Sequence, residues 1–186
     1  MPEKQEQNPG LESELRRITL ADFERVTDPA ILEWAKPQEE MPEDFWAKFK
    51  DIPTDTHLFE VISHIDRELY DPERNHHGAK SFADSRFTSL AEMIERKMVS
   101  CGAKTKIFSE VLRRLSVPVQ LVHLRPIADP NNPQHKHAWI RLYNPATREW
   151  LTVDPTQTRA RYAPEAGLYE ELGTYHSWEE LKKTWK

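Results

Sequence analysis

Residues 101–115 read CGAKTKIFSEVLRRL, and this stretch decides the fold class of the chain. Because a helical face recurs every three to four residues, the positions at offsets of 4, 7, 11 and 14 lie on one side of a helix together with Cys101. Those positions hold Thr105, Phe108, Leu112 and Leu115. We therefore predict a helix that turns its Cys101 side inward against a sheet, with Ser100 as its N-cap.

The basic residues of this stretch favour the opposite side of the same helix. They are Lys104, Lys106, Arg113 and Arg114. Charged side chains on an amphipathic helix usually face solvent. The sequence therefore predicts that these four residues form the solvent-exposed face of the helix.

Three stretches after the helix predict the sheet. A strand is indicated over 119–124, and two more over 137–143, which begins HAWI, and 150–153, which reads WLTV. The loop 144–148 joins the last two as a hairpin, which makes them antiparallel neighbours. Since helices come first and strands second, the predicted class is α+β.

The N-terminal half of the chain is predicted to be helical. An apolar stripe at three- and four-residue spacing is its clearest signal, formed by Leu58, Val61, Ile62, Ile65 and Leu69. Capping-box patterns predict helices that start at Ser89 and Ser177, and residues 71–84 are predicted to form a polar loop. The domain prediction is a flexible tail (1–10) and a single domain (11–186), with a helical part (11–87), a core that carries the chemistry (88–156) and a C-terminal segment (157–186).

Composition narrows the class of protein. The chain has 186 residues and a net charge of −5, and its positive and negative residues are mixed along the sequence, which argues against nucleic-acid or anionic-membrane partners. No apolar run approaches the roughly 18 residues of a membrane span, and the polar start of the chain indicates no signal segment. A lone cysteine cannot form an internal disulfide, so we expect a reducing, cytoplasmic location.

A thiol, an imidazole and a carboxylate occur in an order that suits nucleophilic catalysis. Cys101 lies in the first turn of its predicted helix, where unpaired N–H groups and the helix dipole stabilise a thiolate and could donate to an oxyanion. His137 lies on a strand, and Asp154 ends the strand that the hairpin places beside it. A carboxylate there can accept the second N–H of the imidazole. These three residues are the candidate nucleophile, base and orienting group.

Alternatives exist for each of these residues. Cys101 can be a small buried apolar side chain, and Asp154 can be a turn-starting aspartate. His135 shares the strand face of His137 and is the second candidate base, although its polar neighbours favour a solvated strand end. A mixed zinc site of His135, His137, Cys101 and Asp154 lacks the usual ligand spacing, so no metal ion or cofactor is predicted.

The motifs resemble those of the transglutaminase-like superfamily, a relative of the papain-type cysteine proteases. The matching pieces are Cys101 at a helix start, the turn LSVP at 115–118, HAW at 137–139 and WLTVDPT at 150–156. The resemblance covers residues 88–156 and implies a transglutaminase-like or papain-like core with an N-terminal helical extension. It also implies the roles of Cys101 as nucleophile, His137 as general base and acid, and Asp154 as its orienter.

The resemblance implies an enzyme that transfers an acyl group from an amide or peptide bond through a thioester. A protein or peptide is the expected substrate, and hydrolysis is favoured over transfer to a second amine because water is the default acceptor. The alternative is a non-catalytic protein- or peptide-binding module that retains the fold; a scaffolding role of the N-terminal helices is a third hypothesis. No pattern assigns an oxyanion-hole side chain among Tyr70, Phe82 and Phe87.

Overall fold

An antiparallel sheet with a helix packed on it forms the centre of the molecule. The structure is a computed structural model that describes residues 9–69, 88–98, 100–131, 136–158, 161–165 and 167–184. Within these residues the sheet has four strands in the order β3-β2-β1-β4. The strands are β1 (Val119–Pro126), β2 (His137–Asn144), β3 (Glu149–Val153) and β4 (Tyr169–Tyr175). The predicted α+β class is confirmed, and the arrangement is consistent with a papain-like or transglutaminase-like fold.

The helices of the described residues lie mainly before the sheet. They are α1 (Pro9–Leu15), α2 (Pro29–Leu32), α3 (Glu43–Trp46), α4 (Leu58–Leu69), α5 (Leu90–Glu95), α6 (Cys101–Arg114) and α7 (Trp178–Lys183). Two 3₁₀ helices cover Leu20–Arg25 and Glu33–Ala35. In this part of the chain, no helix is both long and apolar enough to cross a bilayer.

Local sequence signals account for several of these helices. The apolar stripe of α4 is fully buried, as its spacing predicted. Ser89 accepts a hydrogen bond from the Glu92 N–H at the start of α5, and Ser177 and Glu180 form the reciprocal capping box of α7. The predicted polar loop 71–84 lies outside the described residues.

Helix α6 contacts other elements on more than one side. It packs on β1 and β2, and α4 and α5 also contact it. Phe108 and Leu112 on its inner side are fully buried, as predicted. Ser100 caps the helix by accepting a hydrogen bond from the Ala103 N–H at 3.2 Å, which confirms the predicted N-cap.

The prediction that the basic side of α6 faces solvent is wrong. Lys106 is only 4% exposed and Arg113 only 2%. Their charges are satisfied inside the protein, because Lys106 pairs with Glu39 at 2.8 Å and Arg113 pairs with Glu110 at 3.1 Å. Glu39, from the N-terminal part of the chain, covers Lys106 and also accepts a hydrogen bond from Arg114 through its carbonyl, whereas Arg113 donates to the carbonyl of Val119 on β1.

Strand β4 was not predicted from the sequence. It reads YEELGTY, and its glutamates and glycine have low strand propensity. Pairing with β1 stabilises it, and so do ion pairs between Glu170 and Arg125 and between Glu171 and Arg141. These interactions are distant in sequence, which explains why no local pattern revealed the strand.

Candidate active site

Cys101 begins helix α6 and is partly accessible to solvent. The Ser100 side chain and carbonyl accept hydrogen bonds from the N–H groups of Ala103 and Lys104. Helix geometry leaves the N–H groups of Cys101 and Gly102 without intrahelical acceptors. These two donors, together with the positive end of the helix dipole, create an environment that favours negative charge at the sulfur and at an oxygen beside it.

His137 is the first residue of β2 and connects the thiol to a carboxylate. Its Nε2 lies 2.7 Å from Asp154 Oδ2, and Cys101 also forms a hydrogen bond with the imidazole. Since Nε2 faces Asp154, Nδ1 remains for the contact with the thiol. The structure thus brings together the three residues that the sequence singled out, in the order thiol, imidazole, carboxylate.

Asp154 follows β3 directly and is held on both carboxylate oxygens. Its side chain is almost completely buried, with Oδ2 facing His137 and Oδ1 accepting hydrogen bonds from the backbone N–H and hydroxyl of Thr156 at 2.9 and 2.6 Å. Asp154 is therefore both a turn-starting aspartate and a partner of the imidazole. The turn fixes the carboxylate in the orientation that His137 requires.

The electrostatics of the pair favour a charged imidazole beside a charged carboxylate. Burial alone would lower the pKa of His137, but hydrogen bonds to Asp154 and Cys101 and the charges of both groups raise it from 6.5 to about 10. Burial would raise the pKa of Asp154, yet hydrogen bonds from His137 and Thr156 lower it below 3.8. Each group thus stabilises the ionised form of its partner.

Lys104 joins three elements next to these residues. Its ammonium lies 2.7 Å from Asp66 on α4 and donates at 3.3 Å to the carbonyl of Pro155, the residue after Asp154. The side chain is 11% exposed, so the prediction that Lys104 faces solvent is also wrong. Its contacts tie the first turn of α6 to the segment that carries the carboxylate.

Tyr169 is a neighbour of His137 that sequence reasoning missed. Its ring stacks on the imidazole with centroids 5.0 Å apart and planes inclined by 28°. Burial, with the charges of Asp154 and Cys101, raises the pKa of the phenol. Because Tyr169 lies on the unpredicted strand β4, no sequence signal placed it near the histidine.

Several other candidate residues lie outside the part of the chain that the structure describes. They are His135, Tyr70, Phe82 and Phe87. Among the residues that the structure describes, no group of three or more His, Cys, Asp or Glu side chains is arranged to hold a metal ion. A cavity of about 690 Å³ lies at the hairpin end of β2, between residues 14–28 and 143–148. It is not lined by Cys101, His137 or Asp154.

Comparison with known proteins identifies a structural neighbour. No model of a known protein family and no curated protein matches the chain. A solved structure, described as "a Putative Cysteine Protease from Cytophaga hutchinsonii", superposes with a TM-score of 0.56 at 19% sequence identity. The match covers 90% of this chain and 53% of the other, so the chain spans about half the length of that protein. At this identity the likeness concerns the fold.

Proposed function

We propose that the protein is a cysteine-nucleophile hydrolase that cleaves an amide or peptide bond through a thioester. The observation that carries this proposal is the hydrogen-bonded series Cys101–His137–Asp154, which starts at an accessible thiol in the first turn of a helix. The fold shared with a protein described as a putative cysteine protease agrees with it. A protein or peptide is the proposed substrate, and a reducing compartment such as the cytoplasm would keep the lone thiol free.

The first half-reaction forms the thioester. The sulfur of Cys101, paired with the protonated imidazole of His137, attacks the carbonyl carbon, while Asp154 stabilises the imidazolium. The N–H groups of Cys101 and Gly102 are the nearest backbone donors for the oxyanion. The intermediate then collapses, the C–N bond breaks, and His137 gives its proton to the leaving amine.

The second half-reaction regenerates the enzyme. His137 removes a proton from water, and the hydroxyl attacks the thioester carbonyl. The C–S bond breaks, the acid leaves, and the sulfur is again paired with the protonated imidazole of His137. A primary amine in place of water would give a new amide, so hydrolysis and transfer differ only in the second acceptor.

Alkylation of Cys101 tests the activated thiol without knowledge of the substrate. With iodoacetamide at pH 6, the folded protein is expected to react much faster than a free thiol of ordinary pKa, about 8.5. His137→Ala removes most of this advantage, whereas His135→Ala, the matched histidine control, retains it. Labelling that is slow in the folded protein and fast only in denaturant would contradict the proposal and favour the non-catalytic binding module.

Turnover provides the second test. On a mixture of fluorogenic peptide amides, Cys101→Ala is expected to abolish cleavage, and His137→Ala to reduce it by about 10²–10⁴-fold. Addition of a primary amine distinguishes the two acceptors, because transfer yields a substituted amide and hydrolysis yields the free acid. Equal losses in His135→Ala and His137→Ala would mean that the base is wrongly assigned.

A further inference from the structure

An aromatic side chain from the edge strand lies against one face of the His137 ring. Tyr169 on β4 stacks on the imidazole at 5.0 Å between centroids. Trp139, which is 7% exposed, stands nearly perpendicular to both rings, at centroid distances of 6.3 Å from each. Tyr169 thus contacts both the histidine and a buried tryptophan, so its own orientation is fixed.

We propose that Tyr169 is a positioning residue, which fixes the plane of the His137 imidazole and stabilises its protonated form. This inference rests on the proposed function, in which His137 gains and loses a proton in each half-reaction. Tyr169 itself forms and breaks no bond in this reaction. Its effect reaches the reaction only through the histidine.

The geometry explains why hydrogen bonds alone leave the ring incompletely held. Asp154 and Cys101 contact ring nitrogens, so both act near the plane of the imidazole. A tilt of the ring about the line through its two nitrogens would disturb these contacts only weakly. A stacked ring opposes that tilt directly, because any rotation out of plane drives the imidazole into Tyr169.

Electrostatics favour the same role. The face of an aromatic ring carries partial negative charge and attracts a cation placed over it. Among the described residues, the charges that act on these two rings come from Cys101 on α6, Asp154 after β3 and Glu165, which acts on the phenol. Since the phenol of Tyr169 stays neutral under these influences, it acts on the imidazolium through its π face rather than as an anion.

The test measures the rate at which iodoacetamide alkylates Cys101 as a function of pH. Two variants distinguish the effect of the Tyr169 ring from the effect of its hydroxyl. Tyr169→Phe keeps the stacked ring and is expected to retain the wild-type profile. Tyr169→Leu removes the ring, so the imidazolium and the thiolate it pairs with become less stable. We expect the acid limb of its profile to move to higher pH and the rate at pH 6 to fall about 3- to 10-fold.

Two controls separate positioning from general loss of structure. Tyr175→Leu changes the same kind of side chain at the far end of β4 and should leave the profile unchanged. The imidazole titration of His137, followed by NMR, should show a lower pKa in Tyr169→Leu than in Tyr169→Phe. If Tyr169→Leu does not fold, Tyr169→Met provides the same comparison with a more flexible apolar side chain.

The outcomes distinguish this inference from the proposed function. An unchanged profile and an unchanged His137 titration in the folded Leu or Met variant would overturn the role of Tyr169, even if the wild type cleaves peptides. Equal effects of Phe and Leu would also overturn it, because the hydroxyl would then be the active group. A shift of the pH profile in Tyr169→Leu but not in Tyr169→Phe supports the positioning role of Tyr169, even if no peptide is cleaved and the hydrolase proposal fails.

Discussion

The hydroxyl of Thr105 donates a hydrogen bond to the carbonyl oxygen of Ala138 at 3.1 Å, in the fully buried contact between α6 and β2. Thr105 lies one helical turn after Cys101, and Ala138 directly follows His137. This hydrogen bond joins the helix that carries the thiol to the strand that carries the imidazole. We therefore expect the relative position of the Cys101 thiol and the His137 imidazole to depend on Thr105.

Replacement of Thr105 by valine tests this dependence. Thr105→Val keeps the shape but removes the donor, so a buried carbonyl loses a partner, and we expect a loss of about 1–3 kcal/mol in the free energy of unfolding. The alkylation rate of Cys101 at pH 6 should fall as well, because the helix is less firmly aligned. Thr105→Ser keeps the hydroxyl and should preserve the rate. Urea denaturation and iodoacetamide labelling measure both effects, and a rate lower in Ser than in Val would contradict the argument.

Removal of the Lys104 ammonium should loosen the segment around Asp154. Lys104→Met keeps most of the apolar stem but leaves the Asp66 carboxylate without this partner and the Pro155 carbonyl without this donor. We expect the free energy of unfolding to fall by about 1–3 kcal/mol, as for a hydrogen bond to a charged group with little exposure.

The matched control is the surface pair of Lys182 and Glu179, which have a similar separation of 2.6 Å but side chains 29% and 60% exposed. Lys182→Met should change the stability by less than about 1 kcal/mol, because solvent screens exposed pairs. Equal losses in the two lysine variants, measured by urea denaturation, would show that the Lys104 contacts do not hold these elements together.

The sequence predicted α6 and its neighbouring strands because the evidence for them is local. The spacing of apolar residues after Cys101 defines the buried side of the helix, and the hairpin 144–148 makes the strands of His137 and Asp154 neighbours. The hairpin predicts that His137 and Asp154 are adjacent, and the resemblance of the motifs implied the place of Cys101 beside them. Periodicity and a turn were therefore enough for the elements, and the order of the motifs was needed to group the three residues.

The errors arise where distant segments decide the environment. Glu39 neutralises Lys106 from 67 residues earlier in the chain, and nothing in the pattern of α6 reveals this cover. Strand β4 exists because it pairs with β1, although its own sequence has poor strand propensity. Tyr169 was missed for the same reason, since its contact with His137 depends on that pairing.

The end of α6 contains a strained residue whose replacement should stabilise the protein. Ser116 has φ of 65°, and its N–H and that of Val117 donate to the carbonyls of Arg113 and Leu112, which is the Schellman arrangement that glycine favours. Ser116→Gly is expected to raise the free energy of unfolding by about 0.5–1 kcal/mol.

Ser116→Ala is the control for this change, because alanine has the same Cβ crowding as serine at positive φ. It should give no gain, and thermal or urea denaturation measures both variants. A glycine variant less stable than the alanine variant would mean that the strain relieved at this turn is smaller than the entropy that glycine adds to the unfolded chain.

The pairing of His137 with Asp154 predicts a distinct dependence of stability on pH. The pKa of His137 rises from 6.5 to about 10 on folding, so its contribution is fully present below pH 6.5 and is lost as the pH rises through 10. The pKa of Asp154 falls below 3.8, so its contribution is present above that pH and is lost as the pH falls through the folded value. Together the two groups stabilise the folded state most between about pH 4 and 6.5.

His137→Gln should therefore lose stability relative to the wild type mainly in mildly acidic solution. We expect its deficit in the free energy of unfolding to be larger at pH 6 than at pH 10 by at least about 1 kcal/mol, as measured by urea denaturation. His123→Gln is a control of opposite sign, since burial lowers the pKa of His123 to about 4 and protonation destabilises the fold as the pH falls below 6.5. Its deficit should shrink towards acidic pH. If both variants followed the same trend with pH, the ion pair of His137 and Asp154 would not be the source of the effect.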